Sequence, residues 1–481
     1  MSDIQHDTFK NGMPKSVPYI ISNEAAERFS FYGIRSIMST FLVAQFFNPT
    51  NNPAMQNMAE ARSNELVHLF VTFAYFMPLV GGILADWFFG KYKVIFYVSI
   101  LYAFGNLTLA ISTNNQSMFT VGLIIIAIAA GGIKSCVSAN VGDQFNKSNQ
   151  HLMTKVYSWF YFSINSGSVL STLLIPVVYK KYGPEWAFGI PGVLMCLATI
   201  IFWMGRKRYV RSAPAGIKKE NFLFISTYAI KCFFTKGEGE TAWQLVAKKY
   251  SAESIDGVQA VYRILMVFAF TPIFWALWDQ NLSEWVLQSA KLDRNLFGYE
   301  LLPEQVQTFN PLFLISMIPV CSYFIFPFFE KIGIKPTPLR KIGAGLFLTG
   351  ISFVVIALIQ ENIDAGGSPS VWWQVLAYFI LAFAEILVSM TCLEYAYTHS
   401  PKSMKSTMTA LYLLAIAMGN FFVSIVNGSI ANGGFFARFT GASYYWLFIG
   451  ILGVFFILYL LIAKRLPEKS YIGVADETTA S

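Results

Sequence analysis

Apolar residues run through this chain in long blocks, separated by short polar or basic stretches. A helix needs about 20 predominantly apolar residues to cross a bilayer. Twelve blocks reach that length, at residues 17–47, 65–89, 93–112, 117–143, 153–180, 186–205, 262–289, 308–330, 338–359, 370–398, 404–430 and 442–463. The pattern predicts twelve transmembrane helices, several long enough to tilt or to extend beyond the lipid. Between the sixth and seventh lies a basic segment, 206–261, that opens RKRYVRSAPAG. Its stretch Asn221–Phe234 is too short and polar for a span and reads as an amphipathic helix on the membrane surface. The chain therefore divides into a six-helix block at 1–205, a linker at 206–261, a second six-helix block at 262–467 and a disordered tail at 468–481.

Composition agrees with an all-α membrane protein. Of 481 residues, 55% are hydrophobic and 13% charged, against about 25% charged in soluble domains. A soluble core stops growing near 250–300 residues, so a bilayer is the simpler solvent for this much apolar surface. Lys and Arg gather in cytoplasmic loops. With the N-terminus inside, 26 of the 35 cations fall in cytoplasmic segments and six in external ones. That places both termini in the cytoplasm and accounts for the net charge of +8 without a nucleic-acid partner. Six spans, a linker and six more make the layout of the major facilitator fold. The five cysteines are scattered, with no metal-ligand spacing, so neither a metal nor a cofactor is expected. The polar N-terminal stretch lacks the apolar core of a signal peptide. No nucleophile–base set falls within the spans, so the chain is not expected to be an enzyme. Its charges are too sparse for the continuous polar pore of a channel.

The three remaining cations, Arg28, Arg35 and Lys134, lie within predicted helices. So do four carboxylates, Glu24, Glu27, Asp279 and Glu385. Charges in a membrane are costly and usually mark a water-filled pathway; the alternative is static ion pairs that lock helices together. Both halves contribute, which favours a shared central cavity. Glu24, Glu27 and Arg28 are spaced i, i+3, i+4 and share one helix face. One guanidinium beside two carboxylates, which resist both being charged, is the chemistry of a proton-binding site.

That cluster lies in NEAAERFSFYG, which resembles the first helix of the proton-dependent oligopeptide transporter family. GGILADWFFGKYK (81–93), GGIKSCVSANVGDQF (131–145) and FYFSINSGS (160–168) resemble the family's later signatures in order. In the second half FWALWDQN (274–281), FNPLF (309–313), AEILVS (384–389) and EYAYTHSPKSMKS (394–406) also match. The resemblance implies a proton-coupled symporter that imports dipeptides and tripeptides by alternating access. On its motifs, Glu24, Glu27, Arg28 and His68 would couple protons. Arg28, Arg35 and Lys134 would meet a peptide carboxylate and Glu385 its amine. Asn165 and Asn310 would bond the peptide backbone, with Tyr32, Tyr75, Trp275 and Ser389 around it. Arg35 and Asp279 would pair across the outer end of the cavity as a gate.

His68, read near the outer interface, and Asp279 resemble the animal members. Three positions depart from the usual pattern: Ser135 replaces a Pro after Lys134, Phe31 a frequent Tyr, and Tyr412 a Trp of some bacterial members. Asp86, in the GxxxDxxxGK loop, is read as bracing the inward end of the fold. The expected partners are peptides, protons and the lipid bilayer, in a monomer within the cell membrane. The alternative is a carrier of the same family for nitrate or another small anion.

Overall fold

The structure is a computed structural model that describes residues 12–465 apart from 48–52, 147, 215, 218–219, 236, 238–239 and 402–403. The expected tail at 468–481 and most of the polar N-terminal stretch lie outside these residues. The first half holds α1 (Val17–Leu42), α2 (Pro53–Leu84), α3 (Lys91–Ile111), α4 (Gln116–Gly142), α5 (Met153–Tyr182) and α6 (Pro184–Met204). Two short helices, α7 (Phe222–Thr235) and α8 (Ala242–Ala247), occupy the linker. The second half begins with α9 (Ala252–Phe268), α10 (Thr271–Trp278) and α11 (Glu284–Ser289) along one bent path. It continues with α12 (Phe309–Val320), α13 (Phe326–Lys331), α14 (Pro338–Asp364), α15 (Val371–Glu385), α16 (Thr391–His399), α17 (Lys405–Ala431) and α18 (Ala442–Ala463).

Ten helical runs among the described residues are long and apolar enough to cross a membrane, and α9 with α10–α11 makes an eleventh if the bent pair is one span. α1 has 26 residues and carries Glu24, Glu27, Arg28 and Arg35 along its middle rather than at its ends. One apolar core runs from Val17 to Tyr209; a second runs from Ile225 to Tyr459 and takes in Ala61. The chain is thus an all-α membrane protein of two bundles, each around its own core. Backbones approach closely where side chains are smallest: a Cβ on Gly131 of α4 would collide with the backbone of Met77 in α2.

Hydropathy misplaces two helix starts. α2 begins at Pro53, not 65, because PAMQNMAEARSN is helical but polar. Its polar groups find partners: Asn64 donates to Glu284, and Lys291 Nζ lies 3.1 Å from Glu60. α9 begins at Ala252, not 262, where Ser251 Oγ accepts from Ser254 N. The break between α9 and α10 bends the path by 45°; Pro272 stands there without an N–H to continue the ladder. A two-stranded hairpin, β1 (Asn295–Leu296) and β2 (Tyr299–Glu300), turns through Phe297 and Gly298. It is too short to show in a pattern of apolar blocks.

Within the span formed by α15 and α16, a wide π-turn at Ile386–Met390 follows Glu385 directly. Such turns are rare and often mark functional positions. α4, by contrast, runs unbroken through Ser135, whose Oγ donates to the carbonyls of Gly131 and Gly132 at 3.2 Å.

Candidate functional site

The first cluster lies on α1. Arg28 Nε donates to Glu24 Oε1 at 2.7 Å and lies 3.0 Å from Glu27 Oε2. The second contact is within ion-pair range but not aligned as a hydrogen bond. Glu27 is fully buried, and neither of its carboxylate oxygens has a hydrogen bond among the described residues. Lys134 of α4 stands close by, its ammonium 3.7 Å over the Phe31 ring and 4.0 Å over the Tyr75 ring. Its Nζ has no hydrogen-bond partner among the described residues. Aromatic faces attract a cation but leave its three donors unused. Phe31, which departs from the family's frequent Tyr, is a buried cap on this lysine.

The second cluster surrounds a cavity of about 50 Å³ between the bundles. Tyr32, Asn165, Asn310 and Glu385 line it, as do Trp278 and Gln307, which sequence reasoning passed over. Glu385 Oε2 accepts from Trp278 Nε1 at 3.0 Å and from Asn310 Nδ2 at 3.4 Å. Lys134, Tyr75, Trp275 and Ser389 do not line this cavity. Trp275 stacks edge-on against Trp278 and Tyr412, and Ser389 shares a 2.7 Å hydrogen bond with the Tyr412 hydroxyl.

The third cluster crosses between the bundles. Arg35 Nη2 donates to Asp279 Oδ1 at 2.9 Å, with both side chains at most 2% exposed. The other Asp279 oxygen accepts from Asn420 Nδ2 at 2.6 Å, and Asn420 Oδ1 meets His68 Nδ1 at 2.8 Å. His68 Nε2 completes the chain with Ser283 Oγ at 2.9 Å. His68 is therefore fully buried rather than solvated near an interface. α2 starts 15 residues before it, about 22 Å of helix. Asn420 and Ser283 were missed as well; a lone Asn in the apolar run LLAIAMGNFFV is the available signal, because an amide in lipid needs a partner.

Every side-chain hydrogen bond between the bundles among the described residues lies toward the end that carries the α1–α2 connection. Gln307 Nε2 donates to Ser36 O at 3.1 Å, Thr308 meets Thr172 at 2.9 Å, and Lys291 donates to Glu60 at 3.2 Å. The bundles are thus closed at that end. Toward the opposite end, Lys91 is held by Asp143 at 2.8 and 3.0 Å. Asp86, which the sequence suggested as a brace there, is exposed.

A family model described as the POT family matches residues 92–447. Human solute carrier family 15 member 2 is 34% identical over 370 residues, which are 73% of this chain and 49% of that one. "Peptide transporter family 2" of Caenorhabditis elegans is 34% identical over 383 residues, 72% of this chain and 47% of that one. The chain thus spans about half the length of the curated relatives it matches. It covers 99% of the crystal structure of the POT family transporter PepTSo, which in turn covers 95% of this chain at 35% identity and a TM-score of 0.87. With the family model matched across most of its length and the whole fold shared with a solved member, the chain belongs to the POT family, and it is a multi-pass membrane protein.

Proposed function

We propose that this chain is a proton-coupled symporter that imports dipeptides and tripeptides by alternating access. Its termini face the cytoplasm, so the closed end is the outer one. The observation that carries this reading is the cavity lined by Glu385, Asn165 and Asn310, with the cations Arg28 and Lys134 on the first bundle, opposite Glu385. A zwitterion of variable side chain fits that layout. Glu385 meets the amine, the amides bond the backbone, and a carboxylate draws Lys134 off its aromatic caps or Arg28 off its glutamates. A small anion such as nitrate gains nothing from Glu385 and is repelled by it. Protonation of the Glu24–Glu27 pair loosens Arg28 and biases the bundles, here residues 1–205 and 262–467, to rock about the site. His68, linked to Asp279 through Asn420, belongs to the same coupled network. The carrier works as a monomer in the cell membrane and changes no covalent bond.

Proteoliposome uptake with a dipeptide panel tests this. A pH gradient, acid outside, should drive free dipeptides inward. Lys134→Ala should weaken free-carboxylate peptides far more than amidated ones, by about 2–5 kcal/mol. Glu385→Ala should do the same for free against acetylated amines. Equal losses for blocked and free peptides would show that the charges are wrongly assigned.

A further inference from the structure

The amine-facing carboxylate does not stand alone. Glu385 Oε2 takes two donors, the indole N–H of Trp278 at 3.0 Å and the Asn310 amide at 3.4 Å. Both line the same cavity. The indole is the closer donor and sits on a constrained ring. Trp278 is 8% exposed, and its ring packs edge-on against Trp275 with centroids 5.2 Å apart. From the other side, the π-turn that begins at Ile386 fixes the backbone immediately after Glu385. A carboxylate can rotate and present either oxygen. Donors on Oε2 remove that freedom and leave Oε1 to accept from a ligand.

We propose that Trp278 is a positioning residue for amine recognition, holding the Glu385 carboxylate so that one oxygen is committed to the protein and the other to the substrate ammonium. Trp275 next to it serves as packing, with its own N–H unpartnered among the described residues. The inference rests on the reading of Glu385 as the amine site. A neutral donor suits this task better than a cation: Lys or Arg at position 278 would neutralise Glu385 and remove the charge that the ammonium seeks. A hydrogen bond to a charged group is stronger than one between neutral groups, so its loss is measurable as affinity.

Trp278→Phe keeps a ring against Trp275 and deletes the N–H. The expected result is that KM for a free dipeptide rises about tenfold more than KM for its N-acetylated form, with kcat for the free peptide little changed. Benzothienylalanine at position 278 keeps the fused ring and loses only the donor; it should behave in the same way, whatever Phe does to packing. In a Glu385→Gln background the Trp278→Phe change should remove no further selectivity, because Trp278 acts through that carboxylate. Parallel losses for free and acetylated peptides, or a selectivity that survives both replacements in a carrier whose wild type selects free amines, would overturn the positioning role and leave the transport reading intact. A wild type that takes up no peptide, or ignores the amine, would sink the transport reading and this inference together.

Discussion

Asp279→Ala should open the outer end of the cavity. Arg35 is buried against Asp279 with side-chain exposures of 1% and 2%, and removing one partner of such a pair costs about 3–5 kcal/mol. If the pair is a gate that forms in the outward-closed state alone, that state should become rarer by roughly two to three orders of magnitude, at about 1.4 kcal/mol per decade. A cysteine introduced by Asn310→Cys, in a Cys196→Ser background, reports the change. Its labelling by a membrane-impermeant thiol reagent from outside should rise steeply with Asp279→Ala, and concentrative uptake, measured with Asn310 intact, should collapse. Arg35→Ala with Asp279→Ala should recover much of the closed state, because neither charge is then left unpaired. If the pair is instead a permanent brace, labelling stays at the wild-type level while the melting temperature drops.

Glu27→Gln should abolish accumulation driven by a proton gradient and leave peptide counterflow running. The physical reason lies in the uneven grip of Arg28. It bonds Glu24 at 2.7 Å but meets Glu27 off-axis at 3.0 Å, and Glu27 is fully buried. A buried carboxylate without an aligned donor is costly while charged and is relieved by taking a proton. Gln mimics the protonated form permanently, so the carrier can still exchange peptide but cannot be reset by releasing a proton. Counterflow and uphill uptake, measured in the same vesicles, separate the two steps. Uphill uptake at wild-type rates would remove Glu27 from the coupling.

The spans were readable because a membrane forces long apolar blocks, and the charged residues because so few survive within them. What escaped has physical causes. The first three turns of α2 are polar and read as loop, since hydropathy registers solvent and not hydrogen bonding; that error carried His68 toward the surface. Trp278 was hidden among 45 Phe, 24 Tyr and 11 Trp, where only a partner distinguishes a donor from packing. Asp143, which the sequence reading passed over, takes Lys91 because partner choice is set across helices, and spacing along one segment does not determine it. Neutral side chains such as Asn420 and Ser283 carry no formal charge, so a search for ionisable groups overlooks them.

The two halves of the linker have different owners. Tyr209 packs its ring 4.9 Å from Phe202 and 5.4 Å from Tyr92, and Val210 N donates to Gln144 Oε1 at 2.9 Å, all on the first bundle. Ile225, Ala229 and Cys232 of α7 belong to the core of the second. The covalent connection between Pro214 and Glu220 therefore joins two halves that are each anchored on their own bundle. Split genes that separate the chain there should yield two fragments, the first with a whole core and the second lacking only Ala61 of its buried residues. Co-expressed, they should find each other through the Arg35–Asp279, His68–Ser283 and Lys291–Glu60 contacts and co-purify as a transporter in two pieces. Fragments that fail to associate would show that the covalent connection is needed to bring those contacts together.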